Sequence, residues 1–209
     1  MNRRAMDPKR PIRNRLRGAL AATALLLLSA CGGAASEPPP LEGAAIGGDF
    51  TLVDKTGKTV RAADFKGRYR AMYFGYTFCP DVCPNDVGRL MLGVRRFERT
   101  NPKLAGMVVP LFISIDPERD TPKVVGEFAA HFGDNLIGLT GTPQQIAQIA
   151  KSYAVYYKKG QMLSPGTYLM DHSSAAYLMG PDGKPIALLP IDIDDKGKSV
   201  AAELAKWVR

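Results

Sequence analysis

Two cysteines four positions apart, Cys79 and Cys83, lie in the run Gly75-Tyr76-Thr77-Phe78-Cys79-Pro80-Asp81-Val82-Cys83-Pro84. A thiol pair at that separation can hold a soft metal ion, close a disulfide, or cycle between the two. A Cys-x-x-Cys spacing would point to thioredoxin-type exchange. Here one more residue intervenes, so the spacing by itself leaves both chemistries open. The nearest candidate for a third ligand is His172, 89 residues beyond Cys83. The other histidine of the chain, His131, falls on an apolar helical stretch beside Phe128 and Phe132 and reads as a cation at a helix C-terminus.

The segments around the cysteines say how they must be held. Arg70 to Tyr76 is almost entirely apolar or aromatic, as a strand buried on both faces should be. After Cys83, Pro84 fits the first turn of a helix, and Val87, Leu90, Met91, Val94 and Phe97 recur at helical spacing, which predicts a helix from about Pro84 to Phe97. Cys83 then falls at the N-cap, where free N–H groups and the positive end of the helix dipole favour a thiolate. Met107 to Ile115 is a second buried strand. The loop Asp116-Pro117-Glu118-Arg119-Asp120 leads to a helix that starts near Thr121-Pro122 and ends near Phe132. Leu136 to Leu139 reads as a short third strand, and Thr142-Pro143 opens another helix that runs to about Tyr153.

The remaining elements complete the order. Asp49 to Arg61 reads as a hairpin about the turn Asp54-Lys55-Thr56-Gly57-Lys58, and Val155 to Lys158 as an edge strand. Lys159 to Tyr168 reads as a flexible loop, because its Gly and Pro interrupt any alternation. A hairpin from Ala175 to Leu189 and a helix from Lys198 to Arg209 close the chain. Alternating β and α segments followed by a hairpin and helix predict a three-layer α/β domain with a mixed sheet. Within such domains reactive groups gather in the loops at the carboxyl ends of the strands, where Cys79 and Cys83 lie.

The chain begins with a segment of different character. Residues 1–30 carry seven Lys/Arg against one acid, followed by the uncharged run Ala19 to Ala30, which is too short for a stable membrane-spanning helix. Basic lead, apolar run and Leu28-Ser29-Ala30-Cys31 predict a lipoprotein signal peptide over residues 1–30, with Cys31 the lipidated residue after cleavage. The segment from 31 to 48, rich in Gly, Ala and Pro, reads as a flexible membrane tether, which leaves residues 49–209 as one domain. The leader supplies six of the eight net positive charges of the whole chain, so the domain itself is nearly neutral and shows no basic patch for nucleic acid. With Cys31 lipidated, Cys79 and Cys83 form a single pair in an oxidising compartment.

Three runs carry a resemblance. They are Gly75 to Pro84, Ile113-Ser114-Ile115-Asp116-Pro117-Glu118-Arg119-Asp120-Thr121-Pro122, and Asp171-His172-Ser173 ahead of a strand. In that order they resemble the SCO/SenC family of copper-binding proteins across essentially the whole exported domain. The resemblance implies a thioredoxin-like fold, tethering outside a cytoplasmic membrane, and a part in building the binuclear copper centre of cytochrome c oxidase. It implies copper ligation by Cys79, Cys83 and His172, one copper per domain. The copper-bearing oxidase subunit would be the partner, and other periplasmic copper chaperones or thiol reductants further ones. The residue types agree, since soft thiolates suit Cu(I) and imidazole suits either copper state, whereas a structural zinc site needs a fourth ligand.

The alternative function is a thiol-disulfide reductase in which Cys79 and Cys83 cycle through a disulfide and keep the target's cysteines reduced. Asp171 is expected to orient the histidine or to act as a turn residue. Arg119 and Asp120 are expected to form an ion pair that braces the loop. Tyr153, Tyr156, Tyr157, Met162 and Met170 are expected to serve core and loop packing rather than a methionine-rich copper channel.

Overall fold

The computed structural model describes residues 37–164 and 166–209. The expected leader over residues 1–30 and the lipidation site Cys31 lie outside them. A five-stranded sheet forms the centre, in the order β5-β4-β3-β8-β9. Its members are β3 (Tyr69–Gly75), β4 (Val108–Ser114), β5 (Ile137–Leu139), β8 (Ala176–Met179) and β9 (Pro185–Leu189). β3 pairs with β4, and β4 with β5, in parallel; β8 joins β3, and β9 joins β8, antiparallel. The sheet is therefore mixed, as the alternation of segments predicts.

Every residue of β3 and β4 is buried, which is why both read as apolar runs broken only by Arg70 and Ser114. The helices are α1 (Val82–Thr100), α2 (Pro122–Ala130), α3 (Pro143–Ser152) and α4 (Lys198–Trp207). α1 turns Val87, Leu90, Met91, Val94 and Phe97 into the core. It lies so close to α4 that a Cβ on Gly93 would overlap the Val200 side chain. Two helix starts follow their sequence signals. The Thr121 hydroxyl accepts the Val124 N–H, and Thr142 forms a reciprocal cap with Gln145, its N–H donating to Gln145 Oε1 at 2.8 Å.

Two small antiparallel pairs stand apart from the sheet. β1 (Thr51–Val53) and β2 (Thr59–Arg61) form the expected N-terminal hairpin. β6 (Tyr157–Ser164) and β7 (Thr167–His172) form a second one. This corrects two expectations: there is no edge strand on the central sheet at residues 155–158 among the described residues, and residues 159–164 and 167–168 belong to paired strands rather than a loose loop. Paired positions shift twice, between Lys159 and Met162 and between Met162 and Ser164, and this irregularity hides the strand in the sequence.

The tether expected over residues 31–48 also needs correction from Pro38 onward, because that stretch belongs to the compact unit Pro38–Arg209. The Leu41 N–H donates to the Ile186 carbonyl and the Gly47 N–H to the Ser152 carbonyl. Leu41 and Ile46 pack against the core, so burial of their side chains offsets the cost of ordering this Gly-rich strip. Among the described residues no helix is long and apolar enough to cross a membrane.

Candidate metal centre

β3 delivers the chain to Gly75, and the turn beyond it places Cys79 at a partly exposed position and Cys83 in full burial. α1 starts two residues earlier than the proline signal indicates. Asp81 is the N-cap and Cys83 lies in the first turn, not at the cap. Pro84 is tolerated there because the first-turn N–H groups have no intrahelical acceptor. Gly75 makes room for the buried thiol: a Cβ at this position would stand 3.0 Å from Cys83 Sγ and 2.7 Å from the Tyr73 ring.

This placement reverses which thiol ionises. Burial drives the Cys83 thiol up to about 12, despite its seat in the helix. Cys79 is held below the ordinary thiol value. Burial also opposes its ionisation, but is outweighed by the backbone N–H groups of Cys83 and Asp81 and by nearby side-chain donors. The Cys83 N–H points at Cys79 Sγ from 3.3 Å. The helix start therefore favours a thiolate on Cys79, two residues ahead of the N-cap, rather than on Cys83 as expected.

His172 ends β7 and brings Nε2 to 3.4 Å from Cys83 Sγ, which closes the gap of 89 residues. Its Nδ1 lies 3.0 Å from the Ser173 carbonyl. A carbonyl can only accept, so Nδ1 carries a hydrogen, and in the neutral tautomer that this selects the Nε2 lone pair faces Cys83. Tyr76 and Tyr73 meet the imidazole edge-on, with centroids 5.8 and 6.5 Å away, and fix its plane.

The expected orienting role of Asp171 is filled by the Ser173 carbonyl. Asp171 is exposed at the same cleft as Cys79 and His172, and its side chain makes no hydrogen bond or ion pair among the described residues; alternation along β7 sets it out of step with His172. Cys79, His172 and Tyr156 line an open cleft of about 550 Å³, beneath which Cys83 is buried. Among the described residues no three His, Cys, Asp or Glu side chains stand ready as a metal cage. Cys83 contacts His172, and the Cys79 thiol interacts with the Cys83 thiol and accepts the Cys83 N–H.

The run Ser114 to Pro122 braces both halves. Arg119 and Asp120 do not pair with each other, contrary to expectation. Asp120 is buried and accepts the Thr77 N–H (3.1 Å), the Thr77 hydroxyl (2.6 Å) and the Ser114 hydroxyl (2.6 Å), which pins the start of the cysteine loop. Arg119 donates to Asp116 (2.6 Å) and to the Tyr168 carbonyl (2.9 Å) in the β6–β7 hairpin. Tyr153 and Met170 are buried as expected, whereas Tyr156 and Met162 are 60% and 52% exposed and are not packing residues.

Sequence reasoning missed a buried pair beneath the site, in which the Tyr73 hydroxyl donates to Asp86 at 3.1 Å. The available signal was a carboxylate three residues after Cys83 on the apolar stripe of a helix, since a buried acid needs a partner. Burial pushes the Asp86 carboxyl above its ordinary value.

A mixed α/β domain with a dithiol loop at the carboxyl end of a central parallel strand is a thioredoxin-like protein, here with an imidazole added to the thiols. The chain belongs to the SCO1/SenC family, whose model matches residues 38–209. It is 46% identical over 144 residues to the bovine protein SCO2 homolog, mitochondrial, a match that covers 68% of this chain and 53% of that one. The chain thus spans about half the length of this curated relative. A crystal structure of Arabidopsis thaliana ScoI with copper bound superposes with a TM-score of 0.68 at 37% identity, covering 78% of this chain and 99% of that one. The structure of BsSco has a disulfide switch and belongs to a family of cytochrome c oxidase assembly proteins. It aligns with a TM-score of 0.56 at 26% identity, over 76% of this chain and 90% of that one.

Proposed function

We propose that this protein is a copper chaperone that carries one copper ion as cargo on Cys79, Cys83 and His172 and passes it to the copper-bearing subunit of cytochrome c oxidase. The observation that carries this reading is the approach of His172 Nε2 to Cys83 Sγ at 3.4 Å, with the ring tautomer set by the Ser173 carbonyl. An imidazole lone pair aimed at the buried thiol offers a soft metal ion the nitrogen donor that completes a three-ligand set. Two thiolates and one imidazole also leave coordination open on the cleft side, through which a partner's ligand can enter and take the cargo. Copper bound in the Arabidopsis relative, and the oxidase assembly role of the family to which BsSco belongs, support the same reading. We further propose that the domain is held on a lipid anchor at Cys31, outside a cytoplasmic membrane and facing the periplasm, a reading supported by the basic, apolar leader ahead of that cysteine.

The test is anaerobic copper titration of the reduced domain with metal analysis and visible spectroscopy. One equivalent of copper and a sulfur-to-Cu(II) charge-transfer band are expected. Both should be lost in Cys79→Ala and Cys83→Ala, and binding should weaken strongly in His172→Ala. Stoichiometric tight copper in His172→Ala at pH 7 would count against the ligand set.

A second reading, thiol-disulfide reductase, is favoured by the Cys79 thiol, held below its ordinary value beside a buried partner thiol that can resolve a mixed disulfide. In that step the Cys79 thiolate attacks the target disulfide, and Cys83 then displaces the target as its thiolate. Cys79 and Cys83 are oxidised, and the target is reduced. The two readings separate at His172: reductase activity survives His172→Ala, whereas copper carriage does not.

A further inference from the structure

The β6–β7 hairpin hydrogen-bonds to no strand of the central sheet, yet it carries His172. A lone two-stranded hairpin is marginal in water, so the position of the imidazole depends on how the hairpin is fastened to the domain. Besides the Tyr168 hydroxyl bond to Asp116, two links join it to the 116–119 loop. One is the ion pair of Lys159 with Glu118 at 2.6 Å; both side chains are largely exposed and solvent screens them, so this link contributes little. The other is Arg119. Its guanidinium lies 3.5 Å from the centre of the buried Tyr168 ring, 4.8 Å from Phe78 and 5.8 Å from Tyr76.

The polar contacts of Arg119 follow the same geometry. Nε donates to Asp116 within its own loop, while Nη1 reaches across to the Tyr168 carbonyl. The Tyr168 hydroxyl returns a 2.7 Å bond to Asp116. Arg119 Nη2 is buried with no hydrogen-bond partner among the described residues, an arrangement that makes sense where the cation is held against aromatic faces. Tyr76 and Phe78 belong to the cysteine loop, and Tyr168 lies four residues before His172. Arg119 therefore touches both halves of the site at once.

We propose that Arg119 is a positioning residue for His172: it clamps Tyr168 against the cysteine loop and so keeps the imidazole over Cys83. This rests on the copper reading for its consequence, but not for its mechanics, because the clamp must also operate in the metal-free protein. Lysine cannot replace it fully, since a point charge keeps the Asp116 ion pair but lacks the flat face and the forked donors.

The test has two arms, each with Arg119→Leu and the milder Arg119→Lys, which retains the charge if the leucine variant does not fold. In the first, hydrogen exchange is followed in the reduced, metal-free domain. Backbone amides of Tyr157 to His172 should lose protection by about tenfold or more, with β3 and β4 unchanged and the lysine variant intermediate. Wild-type protection of the hairpin, or an equal loss in β3 and β4, would overturn the proposal. In the second arm, Cu(I) affinity is measured in a double-mutant cycle with His172→Ala. Loss of Arg119 should weaken binding about tenfold when His172 is present and leave it unchanged when His172 is absent. An equal loss in both backgrounds would show that Arg119 acts on the cysteines instead and would sink the idea. If the wild-type domain binds no copper, the copper reading fails, while the exchange arm still decides the clamp.

Discussion

The loop that carries Cys79 and Cys83 leaves a strand buried along its whole length, whereas His172 rides on a hairpin that pairs only with itself. The cysteine side is fastened by a buried carboxylate with three close donors and by the first turn of a 19-residue helix. The histidine side is fastened by one cation against three rings, by the Tyr168 hydroxyl on Asp116, by the exposed Lys159–Glu118 pair and by a short crossing at its base. There the Ser173 N–H donates to the Tyr156 carbonyl and the Tyr156 N–H to the Ser173 hydroxyl. The difference teaches that the thiols share the global stability of the fold, while the imidazole can shift at much lower cost.

The comparison is sharpest in thiol reactivity, where the largest effect is expected. In the reduced, metal-free protein at pH 7, iodoacetamide should modify Cys79 faster than Cys83 by roughly a hundredfold or more, because the partly exposed Cys79 thiol is held below its ordinary value while the buried Cys83 thiol is raised. As pH rises, the Cys79 rate should level off below the ordinary thiol range, while the Cys83 rate keeps climbing toward its value of about 12. Peptide mapping by mass spectrometry reads both; equal rates would erase the asymmetry. Next in size, Asp120→Ala strands the Thr77 N–H and removes charge-assisted bonds, and should cost about 2–4 kcal/mol in chemical denaturation. A loss near zero would mean the cysteine loop is not held as described.

On the histidine side the effects on stability should be smaller. Tyr168→Phe deletes one buried hydroxyl bond to Asp116 and should cost about 1 kcal/mol, with faster exchange confined to the hairpin. A uniform increase across β3 and β4 would tie the hairpin to the core and blur the contrast. His172→Ala should change unfolding free energy least, by about 0.5 kcal/mol or less, although it removes a ligand. A drop as large as that of Asp120→Ala would break the comparison outright.

The same contrast explains what could be read in the chain beforehand. β3 and β4 announce themselves as apolar runs, and Thr121-Pro122 and Thr142-Pro143 as helix starts, because local chemistry decides them. The cysteine loop follows from its neighbours. The β6 segment, Tyr-Lys-Lys-Gly-Gln-Met-Leu-Ser, shows no apolar alternation and pairs in a broken register, so nothing local marks it as a strand. The nearness of His172 to Cys83 is set by where β8 docks on β3, which no spacing encodes; only the resemblance of the Asp-His-Ser run to a known family pointed to it. Pro84 misplaced the helix start because it is permitted anywhere in the first turn, and that error passed directly into the ionisation expected of Cys83.

The link between His172 and the sheet is short. Ala176, opposite Tyr73 in the register of β8 on β3, is four residues after the histidine. Fully extended, those four residues reach about 14 Å. An imidazole that swings away during ligand exchange therefore stays within a small sphere around the thiols, at an effective concentration in the millimolar range or above. If the domain carries copper as proposed, a failed handover is then followed by recapture before the ion can diffuse into bulk solvent, so that release depends on an incoming ligand rather than on spontaneous opening.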